Sequence, residues 1–240
     1  MGHEGPEPVA SPRTLGVRLA WLGIASAALD LGAVYVKVPV LRPGVTWGDL
    51  IDIATPFILV FLYALVLRAL SVAPSSRTRL LLVVGGFCLI LGHGIHVAAN
   101  SIDDALARAG AADPQGLVDW WDEHVSHSLI HGSKAALCVA LTALEARRGA
   151  GAAARLSPLL LLGALAYGFI FFADGVEGQT VPILLPFAIL YLAWSIGRGR
   201  PWATVRLFYT LAAIVSILLF ATWGIGHRGF PEFSKVGLVP

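Results

Sequence analysis

Charged residues are scarce in this chain. Only 13% of its 240 residues are Asp, Glu, Lys or Arg, whereas 57% are hydrophobic, and the mean hydropathy is +0.76. Soluble domains carry about 25% charged residues, so this composition excludes a soluble globular protein and is typical of a polytopic membrane protein. The net charge is +2 and no long basic run is present, so nothing in the sequence predicts a nucleic-acid partner.

Cysteine is equally rare, and several catalytic motifs are missing. Cys88 and Cys138 both lie in apolar stretches, where such residues act as small hydrophobic side chains rather than as a disulfide framework. The sequence contains no HExxH zinc motif, glycine-rich phosphate loop, Gly-x-Ser-x-Gly elbow or CxxCH haem-attachment motif. Nucleophilic serine chemistry and covalently attached haem are therefore unsupported.

What the sequence does contain is long apolar runs. A membrane-spanning helix needs about 20 mostly apolar residues. We predict an all-α protein with seven transmembrane helices, at 15–38, 50–72, 79–101, 118–146, 156–175, 181–197 and 202–226. Pro182 and Pro186 leave the start of the sixth helix undefined. The remaining divisions are a disordered N-terminal tail (1–12), a transmembrane domain (13–230) and a C-terminal tail (231–240).

The distribution of Lys and Arg predicts the orientation. With a cytoplasmic N-terminus, the cytoplasmic side collects eleven of these residues and the other side five. The positive-inside rule therefore predicts a cytoplasmic N-terminus and an extracytoplasmic C-terminus. The default location is a bacterial-type plasma membrane. The same orientation leaves the cytoplasmic halves of the helices with almost nothing polar except boundary arginines and Glu145, whereas the outer halves are rich in His, Asp and Glu.

Five of the seven histidines belong to this outer region. His93 and His96 lie on the third predicted helix, and His124, His127 and His131 lie on the fourth. Ionisable residues inside a bilayer are costly and usually face the interior of a bundle. We therefore expect these side chains to lie close together.

Imidazole is the commonest metal ligand in proteins, and His with carboxylate suits Zn²⁺ or Fe. We predict a divalent transition metal, with Zn²⁺ favoured over Fe or Cu, and the ligands His93, His96, His127 and His131. Two alternatives stay open. The histidines could hold a haem, or they could form a metal-free network of hydrogen bonds that relays protons.

Carboxylates near the histidines are candidates for acid–base catalysis. Glu123 shares the histidine face of the fourth helix, whereas Asp122 is predicted to point away from that face. Asp174 and Glu177 share one face at the outer end of the fifth helix. A carboxylate beside a metal can deprotonate a bound water. The predicted catalytic residues are Glu123, Asp174, Glu177 and Lys134, and Lys134 needs a partner such as Asp30 or Asp52.

A further group of residues is predicted to support a cofactor. Asn100, His124 and His227 lie near the outer helix ends. Asn100 could orient a histidine, although a helix cap at 100–101 is the simpler interpretation. The segment 102–116 could form a short surface helix that covers the cavity.

One motif resembles a known group of enzymes. The His127-x3-His131 pair and the seven spans resemble the membrane hydrolases that include alkaline ceramidases and adiponectin-receptor-like proteins. The resemblance implies a histidine-bound zinc and a hydrolytic activity. The Ser-x3-His signature of those hydrolases is missing here, and their histidine pair lies near the end of the chain, not on the fourth span.

These observations favour one function over its rivals. We expect a membrane-embedded metalloenzyme that acts on a lipid-like or apolar substrate, with metal-assisted hydrolysis favoured over oxidation. An ion or proton transporter and a haem-binding electron carrier are the alternatives. Membrane lipid is the expected partner.

Overall fold

The computed structural model describes residues 11–40, 45–148, 154–198 and 202–239. Within these ranges the protein is all-helical and contains no strand; Pro39 and Thr46 form one isolated bridge. The seven long helices are α1 (Pro12–Tyr35), α2 (Trp47–Leu70), α3 (Ser76–Ala109), α4 (Leu117–Arg147), α5 (Pro158–Glu177), α6 (Val181–Gly197) and α7 (Thr204–His227). Residues 1–10 of the predicted tail 1–12 lie outside the described residues, whereas Ser11 caps α1 and Pro12 begins it.

Helix starts follow ordinary capping chemistry. Ser11, Ser75 and Ser157 each accept a hydrogen bond from a backbone N–H in the first turn of α1, α3 and α5. Thr46 and Asp49 form a capping box at the start of α2. Such caps satisfy N–H groups that have no partner inside the helix.

Six of the seven helices are long and apolar enough to cross a membrane: all except α6, which is apolar but only 17 residues long. Large apolar side chains cover the outside of the bundle, with Phe57, Phe61 and Phe87 each about 60% exposed. A helical protein with apolar residues on its outer surface is a membrane protein, because lipid solvates that surface.

Helix α3 is longer than predicted. It continues through residues 102–109 to a C-cap at Gly110, which has a φ of 66°. The expected helix cap at 100–101 is therefore wrong, and so is the separate surface helix covering the cavity. The segment Ile102–Ala109 contains Ala, Leu and Arg, which favour helix, so the helix extends beyond the apolar stretch.

The bundle is built on close contacts between neighbouring helices. Helix α1 packs on α2 and α5, α3 packs on α4, and α7 packs on α5 and α6. Glycines allow the closest approach: a Cβ atom on Gly163 of α5 would lie 2.4 Å from the Cα of Ala20 on α1. Small residues at such crossings are typical of membrane helix packing.

Candidate functional site

The ionisable residues of five helices meet at one end of the bundle, together with Thr180 at the start of α6. That end contains the C-terminal ends of α1 and α5, the N-terminal ends of α2, α4 and α6, and the second half of α3. The contacts described below join Asp30, Asp52, His93, His96, Asp122, Glu123, His127, His131, Lys134, Asp174 and Thr180. The sequence placed most of these residues in one region, and the structure gives their pairing.

The first group, named here the histidine–carboxylate cluster, comprises Asp52, His93, His96, Asp122, Glu123 and His127. His93 donates from Nδ1 to Asp52 Oδ1 at 2.9 Å, and Oδ2 of the same carboxylate lies 3.5 Å from His96 Nε2. His96 Nδ1 lies 2.5 Å from Asp122 Oδ1. Within the described part of the chain, no Lys or Arg forms an ion pair with these three carboxylates.

Asp122 enters this cluster because the helix changes its winding. Residues Trp120–Ser126 form a π-helical turn, in which the His127 N–H reaches back five residues to the carbonyl of Asp122. A π-turn rotates each successive side chain by less than the 100° of an α-helix. The prediction that Asp122 points away from the histidines assumed regular α-helix and is wrong. Ser126 also donates to the Asp122 carbonyl.

Glu123 remains on the same side as His127 despite the π-turn. Its Oε2 lies 3.3 Å from His127 Nδ1, but both atoms are buried and neither makes a hydrogen bond of good geometry. The Nε2 atom of His93 is likewise buried and without a partner in the described residues. Buried polar atoms usually have a partner, so this cluster has three donor or acceptor atoms available for a ligand.

One subset of the cluster has the spacing of a metal site. His96, Asp122 and His127 each offer one ligand atom, and these atoms lie within 4.8 Å of one another. All three residues are partly buried. The Asp52–His93 hydrogen bond has the form by which a carboxylate fixes the orientation of a metal-binding imidazole.

The second group, named here the lysine cluster, comprises Lys134, Asp30, Asp174, His131 and Thr180. Lys134 is 3% exposed and its Nζ donates to Asp174 Oδ2 at 2.6 Å and to Asp30 Oδ2 at 3.1 Å. Of the two partners suggested by sequence, Asp30 is the one in contact, whereas Asp52 bonds to histidines. A buried ammonium is stable only with such partners.

His131 joins the two clusters. Its ring stacks on His127, and its Nδ1 lies 2.5 Å from the Thr180 hydroxyl. Its other nitrogen, Nε2, lies 3.8 Å from Asp174 Oδ2. His131 therefore contacts the histidine–carboxylate cluster on one side and the lysine cluster on the other.

The remaining predicted site residues lie at the edge of the two clusters or outside them. Asn100 is exposed and donates from Nδ2 to His96 Nε2 at 3.1 Å. His124 is exposed, and His227 is exposed and packs on Trp223. Glu177 faces the C-terminal segment, where its Oε2 accepts the Phe233 N–H at 2.7 Å.

The opposite half of the bundle is more polar than the sequence suggested. Buried hydroxyl groups lie there or near the midplane, among them those of Tyr63, Thr142, Tyr167, Tyr191, Ser195, Tyr209 and Thr210, on side chains 2% to 6% exposed. The expectation that the inner half holds almost nothing polar except boundary arginines and Glu145 is wrong. Except for the adjacent Tyr209 and Thr210, these residues occur singly within apolar stretches, so no long run of polar residues indicates them.

Comparison with profiles of known protein families, with curated proteins and with solved structures found no match.

Proposed function

We propose that the protein is an integral-membrane metalloenzyme whose metal binds in the histidine–carboxylate cluster. One observation supports this proposal above the others. Three carboxylates meet three imidazoles with no Lys or Arg paired to them in the described residues. With neutral imidazoles the cluster carries three negative charges in a membrane-embedded bundle, which is costly unless a cation neutralises them.

The proposed ligands are His96, Asp122 and His127, with His93 Nε2 as a fourth donor. Two or three imidazoles with one carboxylate suit Zn²⁺, which takes four ligands or three ligands and a water. Iron and copper also accept imidazole ligands, and with either of them the site would support oxidation. His131 was among the ligands predicted from sequence. Because His131 is not among the residues whose ligand atoms lie within 4.8 Å of one another, and its Nε2 lies 3.8 Å from Asp174 Oδ2, we assign it to proton transfer instead.

The proposed reaction is metal-assisted hydrolysis. A bound Zn²⁺ lowers the pKa of a coordinated water to about 7 and polarises a carbonyl or phosphoryl oxygen. Glu123 is the proposed base because its Oε2 is buried beside His127 without a hydrogen bond. Lys134 and Asp174 would position His131. Glu177 holds the C-terminal segment instead of the site.

The substrate class follows from the location of the cluster. The helices that hold the cluster carry apolar residues on their outer surfaces, so a substrate that partitions into the bilayer would meet the protein there. Ester- or amide-linked lipids combine an apolar body with a carbonyl that a metal can polarise. We propose that membrane lipid surrounds the protein and also supplies its substrate.

The proposed topology has seven spans. Helix α6 has 17 residues, the lower limit for crossing the hydrocarbon core. Seven crossings put the termini on opposite sides, with the N-terminus cytoplasmic and the clusters towards the extracytoplasmic side of a plasma membrane. Exposed Trp47, Trp120 and Trp121 at the cluster end fit an interfacial aromatic belt.

The haem alternative is less well supported. The ring centroids of His96 and His127 are 5.0 Å apart, and those of His127 and His131 are 5.6 Å apart. Imidazoles already in contact with each other leave no gap in which the flat macrocycle could lie between them. A haem between these three rings would require the helices to separate.

Elemental analysis of protein purified in detergent tests the proposal. We expect about one transition-metal ion per chain in the unmodified protein and a large loss in His96→Ala and His127→Ala. His124→Ala is the matched control, because His124 is an exposed histidine near the same end of α4. An unmodified protein with far less than one ion per chain, even after incubation with Zn²⁺, would falsify the metal site.

The hydrolytic step has its own test. Metal-loaded protein is mixed with vesicles that contain ester- and amide-linked lipids, and release of fatty acid is measured. We expect release that Glu123→Gln abolishes while the metal content stays near that of the unmodified protein. Bound metal with no release from any lipid would retain the metal site and remove the hydrolase assignment.

A further inference from the structure

The end of the bundle opposite the two clusters carries most of the arginines. The sequence assigns eleven arginines to this side, and all of them except Arg200 lie in the described residues. Within the described part of the chain, no lysine lies at this end, and Glu145 is its one carboxylate. The surface at this end is therefore strongly positive and attracts anions.

Glu145 is enclosed within the bundle. It is 6% exposed, and its two carboxylate oxygens accept the backbone N–H groups of Val205 and Arg206 at 2.8 Å and 2.9 Å. These N–H groups belong to the first turn of α7 and have no partner inside that helix, so Glu145 caps α7. Among the described residues, none of the exposed side chains at this end is therefore acidic.

Two exposed arginines lie near the start of α7. Arg147 is the last residue of α4, two residues after Glu145, and so lies beside the first turn of α7. Arg155 follows Ala154, whose N–H donates to the Trp202 carbonyl at 2.7 Å just before α7. The end of α4 and the start of α5 thus each place one exposed arginine near the same helix start.

Arg198 completes this group at the end of α6. It is exposed and lies four residues before Trp202, so the two Cα atoms are at most about 14 Å apart. Its guanidinium carbon lies 4.8 Å from the centroid of the Trp194 ring, and such stacking orients the planar guanidinium group. Arg147, Arg155 and Arg198 are named here the arginine corner.

The arginine corner has no acidic partner. None of its three residues forms an ion pair within the described residues, and the neighbouring stretches 149–153 and 199–201 contain no Asp or Glu in the sequence. A guanidinium group donates two parallel hydrogen bonds to a phosphate, which the ammonium group of a lysine cannot do. The chemistry of the corner therefore favours a phosphate ligand.

Apolar side chains adjoin the arginine corner. Leu156 and Ile196, close in sequence to two of the arginines, are 56% and 62% exposed. Trp194 and Trp202 are exposed as well, and Trp is enriched at the level of the lipid head groups. A ligand that matches both kinds of surface combines a phosphate with long apolar chains, whereas free phosphate or an acidic protein would match only the charge.

We infer that the arginine corner binds the phosphate of an anionic phospholipid, whose acyl chains lie against exposed apolar residues of α5 and α6. Basic sites between membrane helices bind anionic head groups in this way. A phospholipid with a choline head group binds less well, because the arginines repel its ammonium group. The inference concerns the end away from the two clusters and does not depend on the metal or on the proposed reaction.

A role of these arginines in orientation alone predicts different behaviour. Arginine and lysine act alike in the positive-inside rule, so under that role only the charge matters. Under phospholipid binding, Arg155→Lys and Arg198→Lys keep the charge but lose the paired hydrogen bonds and the planar contact with Trp194. Substitution by lysine therefore separates the two roles.

Native mass spectrometry of the full-length protein tests the inference. Metal-free protein in detergent is incubated with equal amounts of phosphatidylglycerol and phosphatidylcholine, and the lipid molecules that remain bound are counted. We expect several-fold more phosphatidylglycerol than phosphatidylcholine on the unmodified protein. The preference should disappear in Arg155→Gln/Arg198→Gln and fall markedly in Arg155→Lys/Arg198→Lys. Both residues are exposed, so the unfolding temperatures should stay near that of the unmodified protein.

Arg77→Gln/Arg79→Gln is the matched control, because it removes two exposed arginines from the start of α3 at the same end. It should keep the preference. Equal binding of the two lipids by the unmodified protein, or an equal loss in the control, would overturn the inference. An unchanged preference in the lysine variant, or displacement of the lipid by inorganic phosphate, would overturn it too, since charge alone or a free anion would then explain the binding. No metal is present in the assay, so a failure of the metal site cannot produce any of these outcomes.

Discussion

His127 stacks face to face on His131, with ring centroids 5.6 Å apart and ring planes inclined by 5°. The two residues are one helical turn apart on α4, so their rings overlap along the helix axis. His127 faces the carboxylates of the histidine–carboxylate cluster, and Thr180 holds His131 from the other side. The orientation of the proposed metal ligand is therefore fixed partly by a residue of the lysine cluster.

Gly178 leaves the space in which the His127 ring lies. A Cβ atom on Gly178 would lie 2.7 Å from His127 Nδ1 and 2.8 Å from its Cγ. We expect Gly178→Ala to displace the ring and to weaken Zn²⁺ binding by about 10–100-fold, the range for loss of a group that supports a metal ligand. Competition with a chromogenic chelator measures the affinity.

The control for this prediction is Gly132→Ala. A Cβ atom at Gly132 would meet nothing within 4 Å, although Gly132 adjoins His131 on the same helix. Its zinc affinity should equal that of the unmodified protein. Equal affinities for Gly178→Ala and Gly132→Ala would show that the position of His127 is unimportant for the metal.

Asp52 determines which nitrogen of His93 is available. Because His93 donates from Nδ1 to Asp52, the tautomer with an unprotonated Nε2 is favoured, and Nε2 is the buried atom without a partner. Asp52→Asn should therefore reduce zinc affinity by about 10–100-fold. Asp104→Asn, an exposed substitution on α3, should leave the affinity unchanged. Isothermal titration compares the two variants, and an undiminished affinity for Asp52→Asn would remove His93 from the ligand set.

The sequence predicted the helices and the grouping of histidines with carboxylates well, because both depend on local signals. Apolar runs of about 20 residues indicated the helices, and the excess of histidines on two of them indicated the site. The pairing within the site was not predictable in the same way. It depends on the π-turn that brings Asp122 to His96. It also depends on the helix packing that brings Asp52 into contact with His93 and Asp30 into contact with Lys134.

Two further features also depend on the three-dimensional structure and not on local sequence. His124 appeared to belong with His127 and His131 because it lies three residues from His127, but the π-turn leaves it exposed. The sequence places Tyr209 on one face of the last helix with Ser216, Trp223 and His227, but a shared face does not indicate whether a hydroxyl is paired. Only the structure shows that, among the described residues, its buried hydroxyl makes no hydrogen bond of good geometry.

Lys134 neutralises two carboxylates inside the bundle, and its removal should be costly. In Lys134→Met, Asp30 and Asp174 would face each other without a cation, and breaking a buried ion pair in this way costs about 3–5 kcal/mol. We expect a marked fall in the thermal unfolding temperature in detergent.

A compensated variant identifies the cause of this loss. Lys134→Met combined with Asp30→Asn and Asp174→Asn removes the charge imbalance and should recover most of the stability. Lys235→Met removes an exposed lysine that pairs with Glu232, and it should have no measurable effect. A triple variant as unstable as Lys134→Met would indicate that lost packing of the lysine stem is responsible, since the charges would then be balanced.

Gly163 allows α5 to lie directly against α1, and this contact holds Asp174 near Asp30. A Cβ atom on Gly163 would lie 2.4 Å from Ala20 Cα and 2.7 Å from the Ala20 carbonyl oxygen. Since backbone atoms cannot rotate away, Gly163→Ala must separate the two helices, at a cost of at least about 1–3 kcal/mol. Gly86→Ala, which would meet nothing within 4 Å, should unfold at the same temperature as the unmodified protein or slightly above it. Equal unfolding temperatures for the two variants would contradict the close α1–α5 contact on which the lysine cluster depends.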